Sequence, residues 1–249
     1  ERGIPVTGSN TVTGDTVVFT PFAPLTPDTD YTVTVDSCAG ERSFGFRTSE
    51  VGLPLEVSRS RLLGATYAME LDAAYFAEPA GLGSLLVGFL DEHPLLGITG
   101  VTETEIDILL APSETRSIAQ DTCKPSTFLP SMDFTEAPHL SLVAPEMMMS
   151  FDGMDVKIMD WQFAGDFSPD ASYIGGGVIT GKLDGDDLAS TLVGASIVDE
   201  ESGSAVCDLF AGFGLVCEEC GDGRDVCFDL VIRDINANET GVTLIEVEE

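Results

Sequence analysis

The chain has 249 residues, and its 43 acidic residues against 11 basic ones give a formal net charge of −32. A surface of this charge repels phosphate backbones and anionic lipid headgroups, which argues against nucleic-acid binding and against docking on acidic membranes. The hydrophobic content of 43% is sufficient for a packed core and excludes global disorder.

Three explanations of the acidic surplus stay open. It can provide solubility in a saline or extracellular medium, ligands for calcium, or an acidic face for a cationic partner. The charge is also uneven, because residues 1–50 hold seven acidic and three basic residues, whereas residues 51–249 hold 36 and eight. This shift predicts a domain boundary near residue 50. No apolar run in the sequence approaches the length of about 20 residues that a membrane-spanning helix needs.

The first 50 residues have the pattern of short strands joined by tight turns. Apolar and polar residues alternate in Tyr31–Asp36 and in Ser43–Thr48, and two further β-rich runs are Thr11–Thr13 and Thr16–Thr20. Alternation with a period of two places one face of a strand on a core and the other face in water. We therefore predict a small β domain at residues 1–50.

This segment resembles the bacterial Ig-like domain of S-layer and other cell-surface proteins. The resemblance covers residues 3–49 and depends on Phe19-Thr-Pro21, Pro24-Leu25, Thr29-Asp-Tyr31 and the closing run Phe44–Thr48. It implies an incomplete β-sandwich that acts as a spacer or adhesion module, without catalytic residues. The first strands of that family are missing, so the remaining sheet edge comes from upstream residues, from the second region or from another chain. Self-association or a cell-surface partner through residues 1–50 is the expected consequence.

The second region, residues 51–249, follows a short linker at Val51–Leu55 and is predicted to be a sandwich or barrel-like β domain with two or three short helices. Strands are predicted at Thr66–Asp72, Leu95–Val101, Ile106–Leu110, His139–Val143, Met147–Phe151, Val156–Phe163, Tyr173–Leu183, Val226–Ile232 and Val242–Val247. Helices are predicted at Pro79–Leu90, Asp186–Leu192 and Ser204–Phe210. Gln120–Asp133 is predicted to be a long loop, and Gly175-Gly-Gly177 indicates a bulge or a close backbone approach.

Pieces of the second region resemble uncharacterised secreted lipoproteins of myxobacteria-like Gram-negative bacteria. These pieces are Tyr67–Asp72, Gln120–Cys123, Phe167–Asp170, Ile174–Gly176, Gly181–Asp184 and Val206–Cys227. The resemblance is diffuse and implies no activity, but it agrees with a location outside the cell or on the outer-membrane surface.

The six cysteines favour structural disulfides. Cys207 with Cys217 and Cys220 with Cys227 each bracket a short turn-forming loop, which leaves Cys38 and Cys123 to pair with each other or with a residue outside the sequence. Two alternatives stay open, a zinc site built on Cys217-Glu-Glu-Cys220 and a redox centre at the same motif. The two glutamates disfavour a thiolate, so the redox alternative is the weaker one.

Acidic turns that contain glycine are the only calcium candidates, and the chief one is Asp184-Gly-Asp186-Asp187. None has the spacing of an EF-hand or of the nonapeptide repeat, and a polar turn or a helix N-cap is the favoured explanation of each. The methionines around Met147 and the single tryptophan, Trp161, are expected to fill the core. We therefore expect no metal ligands and no cofactor, with calcium as the one exception left open.

Catalytic motifs are absent from the sequence. The two histidines, His93 and His139, lie beside prolines, and no nucleophile elbow, His-Glu-x-x-His motif or phosphate loop is present. We therefore expect a secreted or cell-surface structural or adhesive protein without catalytic residues. One alternative is a surface lipoprotein that binds an apolar small molecule or lipid between Gly81–Leu90 and the strands within Leu95–Leu110. A second alternative is a secreted hydrolase.

Overall fold

The computed structural model describes residues 3–248 except 15, 39, 80–91, 152–153, 195–196, 213 and 221–222. It divides the chain into two compact units, Glu1–Leu53 and Pro54–Glu249, so the division falls inside the segment predicted as a linker. The protein is mainly β with few short helices, which confirms the predicted fold class. Nearly all of the helix predicted at Pro79–Leu90 lies outside the described residues.

The first unit consists of two antiparallel hairpins. Their strands are β1 (Gly8–Thr13) with β2 (Thr16–Pro21), and β3 (Asp30–Ser37) with β4 (Gly40–Arg47). Tyr31 lies opposite Phe46 in the second hairpin, and the two rings stack with their centroids 5.6 Å apart. Arg47 closes the base of that hairpin through ion pairs with Asp28 at 2.8 Å and Asp30 at 3.1 Å.

In each hairpin, most of the apolar strand residues share one face. Val12, Val17 and Phe19 share a face of the first hairpin, and Val33 lies opposite Phe44 in the second. Among the described residues 3–53, no side chain is buried, and Phe44 keeps 57% of its surface exposed. An isolated two-stranded hairpin is marginally stable in water. The described part of this unit therefore lacks a core of its own.

The second unit contains nine strands and two α-helices among the residues that the structure describes. The strands are β5 (Thr66–Met69), β6 (Tyr75–Glu78), β7 (Pro94–Val101), β8 (Glu105–Pro112), β9 (Thr127–Asp133), β10 (His139–Phe151), β11 (Met154–Phe167), β12 (Tyr173–Asp184) and β13 (Cys227–Thr240). The helices are α1 (Gly185–Gly194) and α2 (Gly203–Ala211), and a short 3₁₀ helix spans Arg59–Arg61.

The nine strands form one antiparallel sheet that is nearly closed. Its order is β10-β11-β12-β13-β5-β7-β8-β9, and β6 pairs with β13 beside this path. The two end strands, β9 and β10, lie close to each other, which brings the sheet almost into a barrel. A sheet that curves back on itself encloses an interior that side chains must fill. Alternate residues of the strands point into this interior and form the core.

Aromatic side chains fill the centre of that core. Phe167 is fully buried, and its ring makes edge-to-face contacts with Tyr67 at 5.5 Å and with Phe134 at 5.8 Å. The Tyr67 hydroxyl donates a hydrogen bond to the carbonyl oxygen of Ala171 at 2.7 Å. Burial raises the pKa of Tyr67, so the hydroxyl stays protonated at neutral pH. The apolar faces of α1 and α2 join the same core through Leu188, Val206 and Phe210.

The glycine run Gly175–Gly177 of β12 forms the irregularity and the close backbone approach that its sequence predicts. The register with β13 shifts on both sides of Gly177, which lies opposite Ile235. A Cβ at position 177 would come within 2.8 Å of the Ile235 carbonyl oxygen. Only glycine allows the two backbones to approach so closely.

Several predicted elements differ from the structure. His139–Val143 and Met147–Phe151 are one strand, β10, and the predicted loop Gln120–Asp133 ends in the strand β9. The four-residue strand β6 was not predicted. The prediction of a strand at Val242–Val247 is wrong, because these residues belong to no strand in the structure.

Candidate ligand-binding site

A cavity of about 600 Å³ opens at one rim of the nearly closed sheet. The rim is formed where β5 and β8 end and where β7 and β9 begin, since antiparallel pairing places these ends side by side. Small-molecule sites in proteins have volumes of about 300–1,000 Å³. The cavity therefore has the size of a site for one small organic molecule.

Most of the cavity wall is apolar. The apolar lining residues are Met69, Pro94, Leu110, Ala111, Pro112, Pro125, Met147, Met148, Trp161, Ile179 and Val247. Met147 is half-buried and packs against the core, whereas Met148 keeps 51% of its surface exposed. The expectation that this methionine group only fills the core is therefore wrong for Met148. Unbranched thioether side chains adapt to guests of different shape.

A charged pair, Glu92 and Lys124, forms the polar part of the inner wall. The Lys124 ammonium donates to both carboxylate oxygens of Glu92, at 2.9 and 3.0 Å. Glu92 is only 8% exposed, and a buried carboxylate is strongly destabilising unless it is paired. The positive charge of Lys124 therefore compensates the negative charge of Glu92.

A local turn places Lys124 at the cavity. The Asp121 side chain accepts a hydrogen bond from the backbone N–H of Cys123 at 2.9 Å, and the Lys124 N–H reaches the Asp121 carbonyl at 3.4 Å. An aspartate that bonds the backbone two residues ahead is a frequent way to fix a turn. The turn directs Lys124 towards Glu92, which directly precedes β7.

Trp161 supplies the one buried donor of the wall that has no partner among the described residues. The side chain is 2% exposed and stacks on Phe163, yet its indole nitrogen makes no hydrogen bond. The register between β11 and β12 shifts at this residue, and Asp160 before it has a φ of 50°. Bulges of this kind turn a side chain away from the regular strand direction. The nitrogen itself has no accessible surface, so it faces neither solvent nor the cavity. A buried donor left unpaired costs about 1–3 kcal/mol.

The C-terminal segment closes one side of the cavity without joining the sheet. The Gln120 side chain bonds both the N–H and the carbonyl of Ile245, at 2.8 and 2.7 Å. The Ser126 hydroxyl accepts the Val247 N–H at 2.8 Å. Side chains thus make the hydrogen bonds to the backbone of this segment that a neighbouring strand would make in a sheet. They hold Glu246 and Glu248 at the cavity wall.

The four clustered cysteines form two disulfides, Cys207–Cys217 and Cys220–Cys227. These are the two pairs that the loop lengths favour, and they use the sulfurs that the zinc and redox alternatives would need. Cys38 and Cys123 are free thiols in the structure, and both are exposed. The open pairing between these two cysteines is therefore not formed.

The predicted calcium ligands are held by an arginine. Arg224 lies 2.7 Å from the Asp184 carboxylate and also pairs with Asp186. Asp186 accepts the Gly203 N–H at 2.5 Å, so the cluster ties the start of α1 to the start of α2. Burial, followed by repulsion from Asp184, raises the pKa of Asp187, whose Oδ2 lacks a partner among the described residues. These contacts give the cluster a structural role, and calcium binding stays a prediction.

Neither histidine lines the cavity, although His93 directly precedes the lining residue Pro94. The His93 ring is 3.2 Å from the Met69 carbonyl oxygen, and the His139 ring is 3.1 Å from the Asp166 carboxylate. Neither ring is among the described residues that line the cavity. The hydrolase alternative therefore draws no support from this site.

The apolar site that the sequence offered as an alternative shares Leu110 with this cavity, and its predicted helix lies outside the described residues. Sequence reasoning missed the rest of the wall, including the Glu92–Lys124 pair. Trp161 was expected in the core, which its burial confirms, but its unpaired indole nitrogen has no signature in the sequence. The one available signal was the scarcity of lysine, since Lys124 is one of only three lysines in the chain. A lysine between a cysteine and a proline in a turn-rich segment is a candidate for a specific pairing role.

Comparison with protein-family models, with curated proteins and with solved structures gives no match to this chain. The Ig-like and lipoprotein resemblances therefore stay predictions. In the described part of the chain, none of the helices has the length and apolar character needed to cross a bilayer. Fold and site together define a mainly β protein with two disulfides and a cavity at the rim of a nearly closed sheet.

Proposed function

We propose that this is a secreted or cell-surface protein whose second unit binds a small, largely apolar molecule in the cavity. The observation that carries the proposal is a cavity of about 600 Å³ whose wall is mostly apolar. Protein interiors are close-packed and leave few voids larger than a water molecule, so an open volume of this size is unusual. A small molecule with an apolar body would fill it.

The disulfides support the proposed location. Disulfides persist in oxidising compartments and are rare where thiols are kept reduced. Two bonds within the short stretch 207–227 are compatible with an extracellular protein. A net charge of −32 also suits a protein that stays soluble in a saline medium.

Titration of the full chain with Nile red, a neutral apolar dye, tests the binding function. We expect saturable binding with one dye per chain and a change in the fluorescence of Trp161, which is the only tryptophan. Ala111→Phe places a ring in the cavity and should weaken binding about tenfold or more, equivalent to about 1.4 kcal/mol.

Ala211→Phe is the matched control, because Ala211 ends α2 on the surface and does not line the cavity. This variant should bind Nile red as the unaltered chain does. Equal binding by Ala111→Phe, confirmed as folded by circular dichroism, would show that the dye binds elsewhere. Absence of saturable binding to the unaltered chain would contradict the proposed function.

An adhesive or structural role of the first unit is the second candidate. The observation that favours it is the exposed apolar face of each hairpin in a unit without buried side chains among its described residues. Exposed apolar patches of this kind mark interaction surfaces. We propose that residues 1–53 associate with another copy of the chain through these faces.

Sedimentation velocity measures this association. We expect the sedimentation coefficient to rise with protein concentration, and to rise more at high salt, which screens the repulsion between acidic chains. The double substitution Phe19→Ser and Phe44→Ser should abolish the rise. Phe128→Ser, at an equally exposed phenylalanine of β9, should leave it unchanged. A chain that stays monomeric at every concentration and salt level would exclude this role.

A further inference from the structure

We propose that the C-terminal segment, residues 241–248, is a strap that opens to let a ligand enter and leave the cavity. The inference rests on the proposed binding function and adds the route by which the ligand reaches that site. Three features of the strap carry it: its place in the cavity wall, the side chains that hold it, and its seat on the sheet.

The strap forms one part of the cavity wall. Glu246, Val247 and Glu248 line the cavity, and most of the other lining residues belong to strands of the sheet. Release of the strap would therefore widen the opening while the strand residues keep their positions. Segments that open and close over a site commonly control how fast a ligand enters and leaves.

Few hydrogen bonds hold the strap in place. The Gln120 amide bonds both backbone groups of Ile245, and the Ser126 hydroxyl accepts the Val247 N–H. The Ser126 N–H also donates to the Val247 carbonyl oxygen at 3.0 Å. A strand inside the sheet, such as β13, is instead bonded to neighbours along its length. Segments with few such bonds open locally more often than central strands do.

Leu244 seats the strap on the outer face of the sheet. It lies on Gly97 of β7, where a Cβ would come within 2.8 Å of the Leu244 Cδ1 atom. Leu96 and Ile98, the neighbours of Gly97, point into the core, so Gly97 faces outwards. None of the strap's residues is fully buried, and Leu244 is only half-buried. This shallow contact is weak enough to break without unfolding the sheet.

Amide hydrogen exchange of the full chain, followed by NMR, measures the opening. We expect the Ile245 and Val247 amides to exchange at least about 100-fold faster than the amide of Ile232, a buried residue of β13. Saturating Nile red should slow the two strap amides, because a ligand held behind the closed strap opposes its opening. Strap amides that exchange as slowly as Ile232 would overturn the inference.

Stopped-flow mixing with Nile red measures passage past the strap. Gln120→Ala removes both bonds to Ile245, so the association and dissociation rates of the dye should rise together, each about tenfold, with a smaller change in Kd. Damage to the wall alone would speed dissociation without speeding association. Gln162→Ala is the matched control, since Gln162 is exposed on β11 and does not line the cavity, and it should change neither rate.

Gly97→Ala tests the seat without altering a lining residue. The added Cβ displaces the Leu244 side chain, so both dye rates should rise, by about threefold or more. In a chain that already carries Leu244→Ala, the same change should raise neither rate further. The Cβ at position 97 then lies 3.5 Å from the Cβ at position 244, which is an ordinary contact. This dependence of one substitution on the other assigns the effect to the seat.

The outcomes separate the inference from the function on which it rests. If Nile red binds in the cavity but Gln120→Ala and Gly97→Ala, shown to be folded by circular dichroism, leave both rates unchanged, the ligand enters by another route. The inference is then wrong and the proposed function stands. If Nile red does not bind the unaltered chain, the proposed function fails and the role of the strap fails with it.

Discussion

Replacement of Phe167 by alanine is expected to lower the free energy of unfolding of the second unit by about 3–5 kcal/mol, the usual loss for a buried phenylalanine. Phe167 is fully buried at the end of β11, and its ring contacts both Tyr67 and Phe134. Removal of the ring leaves a cavity beside Tyr67 of β5 and Phe134, which directly follows β9, and the surrounding β-sheet backbone has little freedom to close it. The loss is a large part of the total stability of about 5–15 kcal/mol that a domain normally has.

Urea unfolding followed by Trp161 fluorescence measures this loss, since the only tryptophan lies in the same core. Phe128→Ala is the matched control, because Phe128 in strand β9 of the same sheet is 44% exposed and its removal should cost less than about 1 kcal/mol. If the two substitutions destabilise the protein to the same extent, Phe167 is not at the centre of the core.

The elements that the sequence predicts well are those with a local signal. β7 and β8 follow from the apolar runs Leu95–Val101 and Ile106–Leu110, and β3 follows from the alternation in Tyr31–Asp36. The helix α1 is predicted from Asp186 and Asp187 in its first turn, because acidic side chains interact favourably with the positive end of the helix dipole. In each case the residues that decide the structure are neighbours in the chain.

β10 was predicted as two strands, and Pro145 lies between them. Proline lacks the N–H that a sheet ladder uses, so it normally marks the end of a strand. In the structure the strand continues through it, and the register passes from Ala144 opposite Trp161 to Glu146 opposite Met159. The residue opposite Pro145 is Asp160, whose positive φ belongs to the bulge in β11. The bulge in β11 thus accommodates the proline in β10. The sequence of β10 alone does not contain this information.

The C-terminal segment was predicted as a strand, although it belongs to no strand in the structure. Val242–Val247 alternates apolar and polar residues as a strand does, but its backbone groups are bound by the side chains of Gln120 and Ser126. These partners lie more than 100 residues away in the chain, so no local pattern distinguishes this segment from a true strand. The same reason explains why most of the cavity wall was missed. Glu92, Lys124 and Trp161 come together only when the sheet curves and nearly closes.

Removal of the first disulfide by the double substitution Cys207→Ala and Cys217→Ala is expected to lower the free energy of unfolding by about 3 kcal/mol in the chain-entropy model. The bond closes a loop in which the two cysteines are 10 positions apart, and it joins α2 to the segment that leads towards β13. Without it, the unfolded chain gains conformations that the bond excludes. Cys217 is partly buried against the core, and alanine keeps that position small and apolar.

Denaturant unfolding of the oxidised protein measures the effect, and the double substitution Cys38→Ala and Cys123→Ala is the control. Both of these cysteines are free and exposed, so their replacement should change the free energy of unfolding by less than about 0.5 kcal/mol. Alkylation followed by mass spectrometry establishes the starting state: the unfolded, unreduced chain should take up two alkyl groups and the reduced chain six, as four of the six cysteines are bonded. Six groups without reductant would show that the disulfides are absent. Equal stability of the two double variants would show that this bond does not stabilise the fold.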